Sequence, residues 1–115
     1  MKKASQLAGT VLLIALLSQL TGCVTRGSNF SSNYNWLKEE KTTRDEVVKT
    51  LGEPYHVGYS AGKPTWTYGF YKMRLVGESY TKELKIYWKG NIVDTFSFNS
   101  SFPEDKQKAI SNISN

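Results

Sequence analysis

The 115-residue sequence holds one cysteine, one histidine and three prolines. One cysteine cannot close an internal disulfide or make a Cys-x-x-Cys redox pair, and with one histidine it cannot fill a four-ligand zinc site. Long hydrophobic runs are also missing. The longest, Leu7 to Leu17, falls short of the about 20 residues that span a bilayer. Neither a phosphate-cradling Gly-x-x-x-x-Gly-Lys nor a calcium-loop spacing occurs. The length allows a single small domain and excludes most large enzyme architectures.

The position of the one cysteine is informative. Residues 1–23 run from Met1-Lys2-Lys3 through the apolar stretch Val11-Leu12-Leu13-Ile14-Ala15-Leu16-Leu17 to Leu20-Thr21-Gly22-Cys23. A basic start, a short apolar run and small residues before a cut have the form of an export signal. The tetrad resembles the lipobox of bacterial lipoproteins, which implies cleavage between Gly22 and Cys23, with diacylglycerol and an N-acyl chain such as palmitate on Cys23. No other cofactor and no metal is expected. Two or more acyl chains would make a stable tether, since each buried methylene is worth about 0.8 kcal/mol. Cleavage would remove 22 residues, with Lys2 and Lys3, and lower the net charge from +5 to +3. That balance can favour an anionic lipid surface but is too small to argue for nucleic acid.

Residues 23–33 are rich in small polar side chains and carry no hydrophobic period, so they read as a flexible stalk. One domain is expected over residues 34–102, followed by a polar tail at 103–115 that could form a last helical turn or two from Pro103, though Ala109, Ile110 and Ile113 give only a thin apolar stripe. Residues 34–40, with Trp36 and Leu37, suggest a first short helix. Thr43-Arg44-Asp45-Glu46 has the form of a capping box, with Val47, Val48 and Leu51 on one helical face and Gly52 and Pro54 as its stop. The period then changes. Residues 55–59 and 65–73 read as strands joined by Ser60-Ala61-Gly62-Lys63-Pro64, with Trp66, Tyr68 and Phe70 on one face. Residues 81–88 alternate Leu84, Ile86 and Trp88 with Glu83, Lys85 and Tyr87. Lys89-Gly90-Asn91 turns the chain into 92–98, where Phe96 and Phe98 face inward. The expected fold is α+β: two short N-terminal helices packed on a three- to four-stranded antiparallel sheet.

No set of converging catalytic groups emerges. His56 is the one candidate general base, and a lone histidine is more often a surface or packing residue. Ser31-Ser32 and Ser100-Ser101 lie in polar loop sequence. Glu39-Glu40, Asp45-Glu46 and Glu104-Asp105 are accounted for by helix starts and solvated faces. A non-enzymatic chain is expected. Aromatics make up 13% of the residues, enough to fill the core of so small a domain. Tyr71-Lys72-Met73-Arg74 is the exception, apolar enough to touch a partner or lipid and basic enough to meet phosphates.

Thr43-Arg44-Asp45-Glu46-Val47-Val48-Lys49-Thr50-Leu51-Gly52-Glu53-Pro54, followed by Trp66-Thr67-Tyr68, resembles the Thr-x-x-x-Val-x-x-x-Leu-Gly-x-Pro … Trp-x-Tyr signature of the BamE (SmpA/OmlA) lipoproteins. The likeness covers roughly residues 34–98. In that family Gly-Met often precedes the capping threonine, and Lys41-Thr42 stand there in this chain. The resemblance implies a helix–helix–sheet fold shared with β-lactamase-inhibitor-like domains. It also implies a periplasm-facing lipoprotein of the outer membrane that assists barrel-protein assembly or envelope integrity. Its partners would be barrel-assembly subunits or another envelope protein, together with anionic phospholipid. Val24 follows Cys23 where an inner-membrane retention signal would place Asp. The same fold could alternatively serve as an inhibitor-like binding module whose target lies outside the assembly machinery.

Overall fold

A computed structural model describes residues 23–114. The proposed signal segment and its cleavage residue Gly22 lie outside the described residues. Among the described residues the fold is α+β, an antiparallel sheet of five strands with two helices. In chain order the elements are β1 (Cys23–Gly27), α1 (Arg44–Leu51), β2 (His56–Ser60), β3 (Lys63–Arg74), β4 (Tyr80–Lys89), β5 (Ile92–Ser100) and α2 (Pro103–Ser114).

The twelve-residue strand β3 organises the sheet. One edge pairs with β4 from Thr65 to Lys72. The other edge is shared end to end, by β2 along Lys63 to Thr67 and by β1 along Phe70 to Arg74. β5 then pairs with β4, with an irregularity at Tyr87/Trp88 that sets Trp88 opposite Val93. The turns follow from their residues. Ala61 and Gly62 both take positive φ, 51° and 81°, as a two-residue I′ hairpin requires, and Gly90 opens the β4–β5 turn at φ 61°.

Direct pairing puts Trp66 opposite Ile86, Tyr68 opposite Leu84 and Phe70 opposite Lys82. It also puts Leu84 opposite Phe98 and Ile86 opposite Phe96, so these side chains share one face. Leu84, Ile86 and Trp88 are buried there with Leu37, Val47, Tyr68 and Val93, and Trp36, Leu51, Trp66, Phe96 and Phe98 pack around them. Full burial of such a side chain contributes about 1.5–3 kcal/mol. The opposite face carries half-buried Thr67, Lys85 and Tyr87 beside exposed Thr95 and Ser97.

α1 starts and stops where its sequence says. The Thr43 hydroxyl accepts the backbone N–H of Glu46 at 3.3 Å, and the Gly52 N–H reaches the Val48 carbonyl at 2.8 Å. Three expectations need correction. Residues 34–40 form no helix; they make turns, with Leu37 N–H on the Tyr34 carbonyl and Glu40 at φ 63°. Adjacent Trp36 and Leu37 give no helical stripe, and the buried Thr42 hydroxyl fixes the turn by accepting the Lys38 N–H at 2.8 Å. Residues 23–27 are paired as β1 instead of forming part of a flexible stalk, which brings the sheet to five strands where three or four were expected. The second helix lies after the last strand, as α2, so α1 sits between β1 and β2 and the two helices do not both precede the sheet.

Candidate functional site

Strand pairing brings the cysteine and the basic–apolar run to one end of the sheet. Cys23 stands opposite Arg74, Val24 opposite Met73, Thr25 opposite Lys72 and Arg26 opposite Tyr71. The run does not make one continuous surface, because alternate residues of a strand point to opposite faces. Tyr71 turns back over the sheet. Its hydroxyl donates to Glu83 at 3.1 Å, and its ring packs 5.8 Å from that of Tyr55 and closes over Gly69, where a Cβ would lie 2.5 Å from the phenol oxygen. Burial first, and the Glu83 hydrogen bond second, push the Tyr71 hydroxyl above its usual range. Met73 and Arg74 are exposed, Lys72 half-buried, and the Arg74 guanidinium sits 5.7 Å from the Tyr80 ring. Beyond them Leu75 and Val76, at the tip of the β3–β4 hairpin, are 68% and 87% exposed.

The scaffold residues interlock. Val47 is fully buried, Leu51 packs on the core and Pro54 is half-buried. The Tyr68 hydroxyl donates to the Gly52 carbonyl at 2.8 Å, tying the end of α1 to the sheet. Burial, with a smaller contribution from Glu53, pushes that hydroxyl up to about 12. Trp66 meets Trp88 edge to face at 4.9 Å, and the Arg44 guanidinium lies 5.8 and 5.5 Å from the two rings.

His56 is exposed on β2 with its ring against Tyr55. A pattern the sequence reading passed over, Gly58-Tyr59-Ser60-Ala61-Gly62, has nucleophile-elbow spacing. Its setting is a β-hairpin and not a strand-to-helix turn, and Ser60 lies four positions along the strand from His56, about 13 Å away. Among the described residues no three of His, Cys, Asp and Glu gather as a metal site would require.

Sequence reasoning also missed Lys82. It occupies an inward position of β4 and is 7% exposed. Its ammonium donates to the Phe30 carbonyl and stands 4.8, 5.6 and 5.9 Å from the rings of Phe30, Phe102 and Phe70. Desolvation pulls the Lys82 ammonium below its ordinary range, against the opposing pull of Asp105 and Glu104. Asp105 accepts from Ser32 at 2.9 Å and from Ser100 at 2.5 Å, so the chain around residues 30–32, the sheet and α2 meet at one knot. A signal was present. A lysine stands at an inward position of the Lys82, Leu84, Ile86, Trp88 alternation.

Two clefts border this knot. One of about 600 Å³ lies between residues 32–35 and α2, with Tyr34, Phe98, Asp105 and Lys106 in its wall. The other, about 440 Å³, opens where β1 and β2 part, between residues 27–30, residues 51–55 and Tyr68-Gly69. No protein-family model, no curated protein and no solved structure matches this chain.

Proposed function

We propose that this chain is a lipid-anchored lipoprotein on the periplasmic face of the outer membrane, acting through protein–protein contacts as a BamE-like accessory factor in barrel-protein assembly or envelope integrity. The observation that carries the reading is the lipobox tetrad Leu20-Thr21-Gly22-Cys23 ahead of a small domain bearing the Thr43 to Pro54 and Trp66-Thr67-Tyr68 signature. The geometry gives those signature residues scaffold work, which suits a shared fold more than a shared chemistry. Tethering supplies the mechanism. Acyl chains on Cys23 would confine the domain to a surface and raise its effective concentration beside membrane complexes, so modest contacts suffice.

The half-buried polar face of Thr67, Lys85 and Tyr87 is available for such contacts. The cleft walled by Tyr34, Phe98 and Asp105 favours a second reading, an inhibitor-like module that grips a segment of an unrelated envelope target. Mild crosslinking in cells followed by co-purification separates the two. Recovery of barrel-assembly subunits, with lowered barrel-protein levels on deletion, is the expected result. Recovery of a different partner with unchanged barrel-protein levels gives the second reading instead.

A further inference from the structure

Pairing of β1 with β3 places the backbone of Cys23 about 5 Å from that of Arg74, the last strand residue before the β3–β4 hairpin. Four apolar side chains are exposed around that end: Val24 at 52%, Met73 at 46%, Leu75 at 68% and Val76 at 87%. The other exposed apolar cluster, Tyr55, Val57 and Tyr59, lies along β2 beside the opposite half of β3. Arg26, Lys72 and Arg74 surround the hairpin base against two acids whose carboxylates each take a tyrosine hydroxyl, Glu78 from Tyr80 at 3.3 Å and Glu83 from Tyr71 at 3.1 Å. Exposed aliphatic residues at a tip, with cations and a tyrosine one step behind them, match the layering of a bilayer surface.

We propose that the β3–β4 hairpin inserts into the headgroup–acyl boundary of an anionic bilayer as a second membrane contact beside Cys23. Leu75 and Val76 enter the apolar layer with Met73 and Val24 at its edge, while Arg26, Lys72 and Arg74 meet lipid phosphates. The choice of lipid over a protein occupant rests on the lipid-anchor reading: a residue paired with Arg74 and carrying acyl chains holds the tip at the membrane surface by connectivity alone. Two contacts fix what one leaves free. The sheet stands on its β3–β4 end, and the β2–β3 and β4–β5 turns at the other end point away from the bilayer.

The test uses the full-length protein purified from membranes and reconstituted into vesicles of phosphatidylethanolamine and phosphatidylglycerol containing spin-labelled lipid. An environment-sensitive fluorophore is placed on Val76→Cys or, as a control, on Asn91→Cys in the β4–β5 turn. Quenching at 76 about threefold stronger than at 91, and abolished by adding Leu75→Glu, is the expected result. Equal quenching at the two positions overturns the proposal. So does a photocrosslink from position 76 to a protein in intact cells with no quenching in vesicles, which gives the tip to a protein partner. Intact mass reads the anchor separately. An acylated chain with an unquenched tip refutes the insertion and leaves the anchor. If Cys23 carries no lipid, the comparison is repeated with Cys23→Ser, where quenching at 76 sustains the insertion without the anchor and its loss refutes both.

Discussion

Lys82 illustrates how much one side chain decides in a domain this small. Its stem and ammonium fill the space between Phe30, Phe70 and Phe102, and desolvated contacts of this kind are worth about 2 kcal/mol. Lys82→Met keeps the stem and removes the charge, so its stability at pH 7 is expected within about 1.5 kcal/mol of the parent. Lys82→Ala empties the cage and is expected to cost about 2–4 kcal/mol. Urea denaturation measures both. The pH dependence carries a sign. Because the folded state holds this ammonium below 10.5, the unfolded chain binds more protons between the folded value and 10.5, and stability gained from Lys82 rises with pH through that window. The methionine variant lacks that rise. Tyr68, raised to about 12, gives the opposite slope above pH 10 in parent and variant alike, so their difference isolates Lys82. A difference that does not change between pH 7 and pH 10 would show that the cage does not desolvate the ammonium.

Among the elements, β1 depends on Gly27. That residue has φ 78°, and a Cβ there would lie 2.0 Å from the Gly69 carbonyl oxygen. Gly27→Ala is therefore expected to unpair β1, lowering amide-exchange protection along β1 and the facing residues of β3 while β4 and β5 keep theirs. Loss of protection across the whole sheet would mean instead that β1 belongs to one cooperative unit with the core. The same strand marks how far the sequence could be read. α1 was legible because the Thr43 cap, the buried Val47 and the Gly52 stop are all local. β4 was legible because Leu84, Ile86 and Trp88 face one side at period two. β1 takes its reason from far along the chain, since Val24-Thr25-Arg26 become a strand only because β3 offers a free edge; the start of α2 at Pro103 is legible, but its full length is not, because a thin apolar stripe gives no sign of the Asp105 and Phe102 contacts that dock it. Residues 34–40 were misread because Trp36 and Leu37 reach the core from a turn that Thr42 ties, which no helical period could show. The same limit applies at the candidate site. Met73 and Arg74 could be picked out by composition, but the partnership of Arg74 with Cys23 and the turning back of Tyr71 onto Glu83 required the fold.

For the molecule as a whole, the geometry leaves little slack between the proposed anchor and the domain, since pairing begins at Cys23 itself. Inserting ten Gly and Ser residues between Cys23 and Val24 is expected to preserve membrane attachment and thermal unfolding, while a label at position 76 loses much of its quenching by lipid. Fractionation, calorimetry and fluorescence on one reconstituted sample make the comparison. Unchanged quenching would show that the hairpin seats itself without help from the short connection. Reduced quenching would make orientation a property of chain length as well as of surface chemistry.

The pairing of β1 with β3 also carries a consequence in time. Strands β2 to β5 are joined by short turns, whereas β1 closes on residues about fifty positions further along the chain. Loop-closure entropy favours the short hairpins first, so β1 is expected to dock last, onto a sheet already formed. Until then the backbone of residues 23–27 would be unpaired, the form in which modifying enzymes and proteases take their substrates. On the proposed lipid-anchor reading, folding and maturation would thus proceed together, and the final zipping of β1 would end the access of modifying enzymes to Cys23.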